Sequence, residues 1–572
     1  MEPRCRLAGT NDRRLSLLAA CALAVAAAVL RAWQLNDSLW LDELHTAWIV
    51  AGEISELAPR ARIGNQSPAF FYLPKAAVAM LGMSEWSLRL PSFLAGVALL
   101  PLGYLATWRW TRCRSGALFA ALLIAIDHDC VFYSQEARPY AMVQLVGLAQ
   151  VLLFWELLRA PRLWWRAGFV LATAALFHLH YTSALLVAGE LAAYVWLARF
   201  LPTVTAGSGT GGAAEREHQA GTTGRGAPLP YRPPELALDT LAAVVLGLPA
   251  VPHVAQIAAH RGDWSAIAAA PTLVNVVRLF PLTPYVLCPL AGLLALRAAR
   301  RRARLAPALG PGDPRAAVLL ACWFLVPLAL AWLLTLTHVA PVLMRRYLMF
   351  LAVAPMAGCG ALLARYPGRT AKLAAATAVL VLLTATQERS VVRQFLRDGR
   401  LIGDRRQDWR GAVGFVRRQA RGSAAPVLVR SGWLEADRLR ARPDPLFRDY
   451  CLSPVKGIYR LDTEPRELIP LPRTRAGELN ASAISAIRRR GEGWFLISGS
   501  SRTRRRVITD VLDCLARCRM KASLHWLREF GEVLVFHLRI EQDPSSAAGA
   551  MPAGPLCGVW RFSPDGRHGG IH

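Results

Sequence analysis

Apolar residues run through the first two-thirds of the chain in long blocks separated by short polar stretches. A helix needs about 20 such residues to match the hydrocarbon thickness of a bilayer, so blocks of about 17–25 residues predict membrane spans. They lie at 15–33, 88–108, 116–133, 139–158, 163–180, 181–200, 236–257, 278–296, 316–337, 347–364 and 371–386, which predicts about eleven spans. A shorter apolar stretch, Ser67–Gly82, is interrupted by Pro74 and Lys75. It reads as an interfacial helix inside a long loop over 34–87. Thr203–Pro234 carries a GSGTGG run, yet no strand precedes those glycines and no Lys-Ser/Thr follows them, so it reads as a flexible linker rather than a phosphate loop.

Beyond residue 390 the blocks give way to shorter, mixed patterns. These predict a helix over 408–420, strands over 426–430 and 493–498, a helix over 503–520 and a strand pair over 522–540. The expected organisation is an α-helical polytopic membrane region over 1–390, a small α/β domain over 391–541, and a disordered tail over 542–572 rich in Pro, Gly and Ala.

Composition changes this picture in one respect. The chain is 54% hydrophobic and carries a formal charge of +28. In a soluble protein that charge suggests nucleic acid, but no aromatic-plus-basic recognition motif accompanies it. Its arginines cluster beside apolar blocks, at Arg109–Arg114, Arg162–Arg166, Arg297–Arg304 and Arg365–Lys372, and alternate counting puts all four clusters on one side. The positive-inside rule makes that side cytoplasmic, together with the N-terminus. With an odd number of spans, the loop over 34–87 and the C-terminal domain then share the outer face of the cell membrane. The eleven cysteines show no strong zinc spacing; Cys514 and Cys518 share a predicted helix face without further ligands nearby.

Four outer stretches carry ionisable groups on this topology. The first is Asp42-Glu43. The second holds Asp127, His128 and Asp129, then Glu136, Arg138 and Tyr140. The third holds His178 and His180, and the fourth His338, Arg345, Arg346 and Tyr347. Each has an ordinary structural explanation: the acids can cap helices or end spans, and the histidines can sit satisfied at a helix interface. The arginine pair is more telling, because it opposes the charge bias of the other loops, and an anion to bind explains it. Carboxylates, imidazoles and guanidiniums on one face can together bind an anionic group and move a proton.

Several of these stretches, in this order, resemble a known family. SLWLDELHT, SPAFFY with GMSEWSLRLPS, YSQEARPYAM, FHLHYTS, RRYLMF and QDWRGAVGFVRRQ are similar to segments of bacterial members of the protein-mannosyltransferase-like superfamily, polytopic glycosyltransferases of the GT-C class. The resemblance covers most of the first 420 residues. It implies a sugar taken from a polyprenyl-phosphate carrier and transferred, with inversion, to a lipid, glycan or protein outside the cytoplasm. It also implies that Asp42 is the catalytic base, that Glu43 orients it, binds substrate or supports a metal, and that Arg345, Arg346 and Tyr347 contact the donor phosphate. Arg138, Tyr140 and His180 join the substrate-binding set. Relatives that transfer aminoarabinose to lipid A carry an acid near the position of Arg138-Pro139-Tyr140, a departure that leaves open whether Glu136 or Asp129 takes over the second acidic role. Neither a cofactor nor a metal is fixed by these residues, since a single Asp-Glu pair does not define a divalent site. Two rival classes are a transporter or flippase, which usually shows paired repeats and polar groups at mid-membrane, and a non-catalytic anchor presenting the C-terminal domain.

Overall fold

The computed structural model describes residues 10–200, 229–259, 270–303, 313–403, 407–440, 444–461 and 466–541. Most of the expected linker over 203–234, and all of the expected tail over 542–572, lie outside them. The helices used below are α1 (Thr10–Ala32), α2 (Leu41–Ala51), α3 (Glu85–Thr111), α4 (Arg114–Ile126), α5 (His128–Ser134) and α6 (Tyr140–Arg159), followed in the C-terminal domain by α7 (Trp409–Gln419), α8 (Ala481–Arg490) and α9 (Ser501–Arg517).

Six helices among the described residues are long and apolar enough to cross a membrane: α3, α6, Tyr181–Phe200, Pro233–Ala259, Pro314–Leu336 and Gly368–Thr386. Two bent pairs, α4 with α5 at 58° and Arg345–Leu351 with Val353–Ala364 at 40°, raise the number to eight if each is one span. Among the described residues six to eight candidate spans thus stand against the expected count of about eleven. The blocks at 15–33 and 163–180 form shorter apolar helices, Leu18–Ala32 and Leu163–Leu179. The block at 278–296 is divided between a π-helical turn, Thr283–Leu287, and a helix, Cys288–Arg302, that ends in three arginines. Apolar composition marks where a chain tolerates lipid but carries no information about bends.

Local chemistry explains the break between α4 and α5. Asp127 Oδ1 accepts hydrogen bonds from the Asp129 and Cys130 amides at 3.0 and 3.1 Å and caps the second helix. The carbonyls freed at the end of the first are taken by the buried Arg31, which donates to Ile124 O at 2.9 Å and Ala125 O at 3.2 Å. Elsewhere the helices close through small residues: a Cβ on Gly116 would collide with the Gly360 carbonyl oxygen, and one on Gly360 with that of Gly116. Such backbone contact is how helices pack in lipid, where apolar surface alone provides little driving force.

The C-terminal domain holds one five-stranded sheet in the order β2-β1-β3-β5-β4, from β1 (Val427–Arg430), β2 (Leu468–Pro470), β3 (Glu492–Ser498), β4 (Ala522–Phe530) and β5 (Val533–Ile540). Strands β1, β2 and β3 are parallel, while β5 pairs antiparallel with both β3 and β4. Side chains alternate across it as the period of two requires. Leu428, Phe495, Ile497 and Phe536 pack beneath α8 and α9, in one core with Ile487 and Val511. Val427, Val429, Trp494, Leu496, Val533 and Val535 share the opposite core with Trp409 and Phe415 of α7, and with Leu44, Ala47 and Val50 of α2. The helix that carries the first acidic pair is thus part of the hydrophobic core of the C-terminal domain.

Candidate functional site

Trp40 holds an extended conformation as the N-cap residue of α2, placing Asp42 and Glu43 in the first helical turn, where the helix dipole favours negative charge. Successive residues on a helix point about 100° apart, and these two carboxylates meet different surroundings. Glu43 turns inward and is fully buried against the equally buried Arg89 of α3. Its oxygens accept from Arg89 Nε at 2.7 Å, Arg89 Nη2 at 2.5 Å and the Ala137 amide at 2.9 Å. Arg89 also donates to the Leu35 and Asp37 carbonyls, each at 2.7 Å. One ion pair therefore ties together α2, α3, the loop before α2 and the loop before α6.

Asp42 turns the other way and keeps 16% of its side chain exposed. Its Oδ2 lies 3.3 Å from Arg346 Nη1 and 3.9 Å from Arg138 Nη2. Arg138 is held by its backbone, since Ser92 Oγ donates to its carbonyl at 2.9 Å and Thr46 Oγ1 to that of Ala137 at 2.7 Å. Its own Nε and Nη1 are buried without a hydrogen-bond partner among the described residues. Tyr140, His180 and Tyr347 form the wall: the His180 ring centroid is 5.9 Å from Tyr140 and 5.3 Å from Tyr347. Glu136 is buried nearby, and its charge acts on both Arg138 and Tyr140.

The state of His180 follows from its partners. Thr182 Oγ1 gives its only proton to the Tyr347 carbonyl at 2.6 Å, so its 2.7 Å contact with His180 Nδ1 requires the imidazole to donate. Nδ1 carries the hydrogen and Nε2 keeps its lone pair. Burial, reinforced by the charges of Arg346 and Arg138, lowers the His180 pKa to about 3. The ring is thus a neutral acceptor rather than a proton donor.

The expected site residues fall into two groups. Asp42, Glu136, Arg138, Tyr140, His180, Arg346 and Tyr347 come together. Asp127 and Asp129 do not join them: Asp129 binds Arg345 at 2.5 Å and His128 at 3.3 Å, and Asp127 Oδ2 accepts from Tyr285 at 2.9 Å. The adjacent arginines are divided, Arg345 to Asp129 and Arg346 to Asp42. His178 contacts the Leu246 carbonyl through Nε2 at 2.9 Å. The Asp42 and Glu43 carboxylates do not converge on one point, and no group of three or more His, Cys, Asp or Glu side chains among the described residues is arranged to hold a metal ion.

Sequence reading missed Arg89 and Arg31. The signal was present, because an arginine inside or at the end of an apolar block requires a partner. It also missed a contribution from the C-terminal domain. Trp433 and Tyr450 stack at 4.8 Å and pack on His45 of α2, at 5.6 and 5.2 Å. Tyr450 donates to the buried Glu435 at 3.3 Å, and Glu435 in turn feels the Asp42 charge.

No family model and no curated protein matches the sequence. Solved structures do. ArnT from Cupriavidus metallidurans in the apo state is similar over 90% of this chain and 97% of its own, at 14% identity and a TM-score of 0.51. The same protein bound to undecaprenyl phosphate matches over 93% and 98%, at 13% identity and a TM-score of 0.49. The archaeal oligosaccharyltransferase AglB from Archaeoglobus fulgidus, in complex with an inhibitory peptide and a dolichol-phosphate, matches over 84% and 69%, at 13% identity and a TM-score of 0.41. At such identities the likeness to apo ArnT speaks for the fold alone. The chain has the fold of a GT-C-type polytopic membrane protein, with a small C-terminal α/β domain joined to its first long loop.

Proposed function

We propose that this protein is a membrane glycosyltransferase that moves a sugar from a polyprenyl-phosphate donor to an extracytoplasmic acceptor, inverting the anomeric carbon, with Asp42 as the base. The observation that carries this reading is the partly exposed Asp42 carboxylate, held at 3.3 and 3.9 Å by two guanidiniums rather than locked into a close bidentate pair. An incoming phosphate competes for Arg346 and Arg138 and draws them off the carboxylate. Binding of the donor thereby frees the base.

The chemistry then balances. Asp42 accepts the proton of the acceptor hydroxyl, whose oxygen forms a bond to the anomeric carbon, while the bond from that carbon to the phosphate oxygen breaks with its electron pair. Negative charge grows on the departing phosphate, where preorganised guanidiniums stabilise the transition state more than the ground state. Tyr140 and Tyr347 offer aromatic faces to the sugar, and His180 Nε2 accepts from a sugar hydroxyl. Glu43 orients the site through Arg89. On the expected topology all of this happens at the outer face of the cell membrane.

The test is to incubate membranes with labelled polyprenyl-phosphate sugars and identify labelled products by mass spectrometry. Wild type should form a product that Asp42→Asn, inserted at the same level, does not. Full activity in a correctly inserted Asn variant removes Asp42 from the role of base.

A further inference from the structure

The three parallel strands of the C-terminal domain end at one edge: β1 at Arg430, β2 at Pro470 and β3 at Ser498. From β1 the chain passes outward to β2 and then returns to the other side as β3. In open α/β sheets, the crevice outside the carboxyl ends of the strands at such a reversal is where ligands bind. Here a cavity of about 810 Å³ opens at that edge, lined by Arg430, Arg473, Thr474, Arg502, Thr503 and Arg506 among others. The last three belong to the first turns of the 17-residue helix α9, whose N-terminus adds positive potential.

Arg430 makes this more than a surface cluster of basic residues. It is 6% exposed, and its hydrogen bonds among the described residues go to backbone carbonyls rather than to a carboxylate. Its Nε donates to the Arg473 carbonyl at 2.9 Å and its Nη1 to that of Ser498, so both partners are backbone. Burial and the adjacent Arg473 lower its pKa to about 10, with Asp437 acting in the opposite sense. Asp437 itself accepts from the Thr474 amide and hydroxyl at 2.7 and 2.8 Å. The acids that line the cavity are Glu478, Asp510 and Asp513; the first two lie near Arg475 and Arg506, at 3.7 and 3.6 Å. A buried guanidinium beside another one, with no ion-pair partner among the described residues, is stabilised when an anion joins it.

We propose that this crevice binds a phosphate group, with Arg430 at its floor and Arg473 and Arg502 at its mouth. The ligand class is a phosphate-bearing saccharide or lipid head group. The site stands on the crevice alone and does not require the transfer reaction. It is nevertheless close to that site: Gly432, two residues beyond Arg430, has a left-handed φ of +97°, and a Cβ there would lie 3.7 Å from Leu41 Cδ2, beside Asp42.

The experiment is calorimetric titration of the full-length protein, in phosphatidylcholine nanodiscs, with inorganic phosphate, glucose 6-phosphate and glucose. Wild type should bind both phosphates and not glucose. Arg473→Glu and Arg502→Glu, which lie at the accessible mouth and leave the core intact, should each weaken phosphate binding by about tenfold or more. Asp42→Asn and Arg346→Gln should retain binding at the crevice. If phosphatidylglycerol in the nanodisc competes with glucose 6-phosphate, the natural ligand is a membrane head group; if it does not, the ligand is a glycan or soluble phosphate, and either result supports the site. Unchanged phosphate affinity in both mouth variants overturns it, as does loss of all binding in Arg346→Gln. Neither outcome bears on whether Asp42→Asn abolishes transfer.

Discussion

Replacing Glu43 by Gln separates a structural carboxylate from a catalytic one at adjacent positions. Glu43 and Arg89 have 0% side-chain exposure, and Glu43 accepts from two guanidinium nitrogens and two backbone amides, the longest being Trp40 N at 3.4 Å. Gln keeps the shape and one acceptor oxygen but removes the charge, leaving Arg89 buried without its counter-ion. Breaking a buried pair from one side destabilises by about 3–5 kcal/mol. Asp42→Asn keeps the shape of a side chain that retains 16% exposure and whose contacts lie at 3.3 and 3.9 Å rather than in a close bidentate pair, so it disturbs the fold less. Thermal melts of the purified protein in detergent, followed by loss of the monodisperse chromatographic peak, should therefore show a large drop for Glu43→Gln and little change for Asp42→Asn. Combining Glu43→Leu with Arg89→Met should recover part of the loss. The recovery is incomplete because the Leu35 and Asp37 carbonyls lose their donor. A Glu43→Gln protein that melts with wild type yet transfers no sugar would refute this reasoning and move Glu43 into the chemistry.

Three further outcomes are expected. Arg346→Gln should lower kcat by about a hundredfold, the cost of one lost transition-state contact, and single-turnover transfer assays would detect it. Burial raises the Glu435 pKa to about 7 from 4.5, so the folded state holds a proton that the unfolded chain has released between those values. Stability should consequently fall as pH rises from 4.5 to 7, by on the order of 3 kcal/mol, and Glu435→Gln should flatten that decline in melts taken across the range. Because His180 is neutral down to about pH 3, His180→Gln should change the KM for the donor without moving the pH profile of transfer between 5 and 8.

Much of the site was legible because its residues break local rules. Asp42 stands at the end of an apolar block, and Arg345-Arg346 oppose the charge bias, so each advertises a need for a partner. Nothing local says which partner. The backbone geometry of Arg345–Leu351 sends neighbouring guanidiniums to Asp129 and to Asp42, and the turn of α2 sends neighbouring carboxylates to Arg89 and to the open site. Pairs adjacent in sequence were expected to act together. The fold separates them.

The same division holds for the whole chain. Long apolar blocks determined by themselves that this is a polytopic membrane protein, since lipid admits backbone only with its polar groups paired within a helix. Short apolar runs likewise marked β1, β3 and the β4-β5 hairpin. The three-residue β2, the bend at Ala352 and the attachment of α2 to the sheet were decided by tertiary contacts. Those contacts join residues far apart in sequence, and their energy comes from burying surfaces whose complementarity no local pattern records. The identity of each ionisable group was written in the chain; its charge partner, exposure and chemical role came from what the fold packed against it.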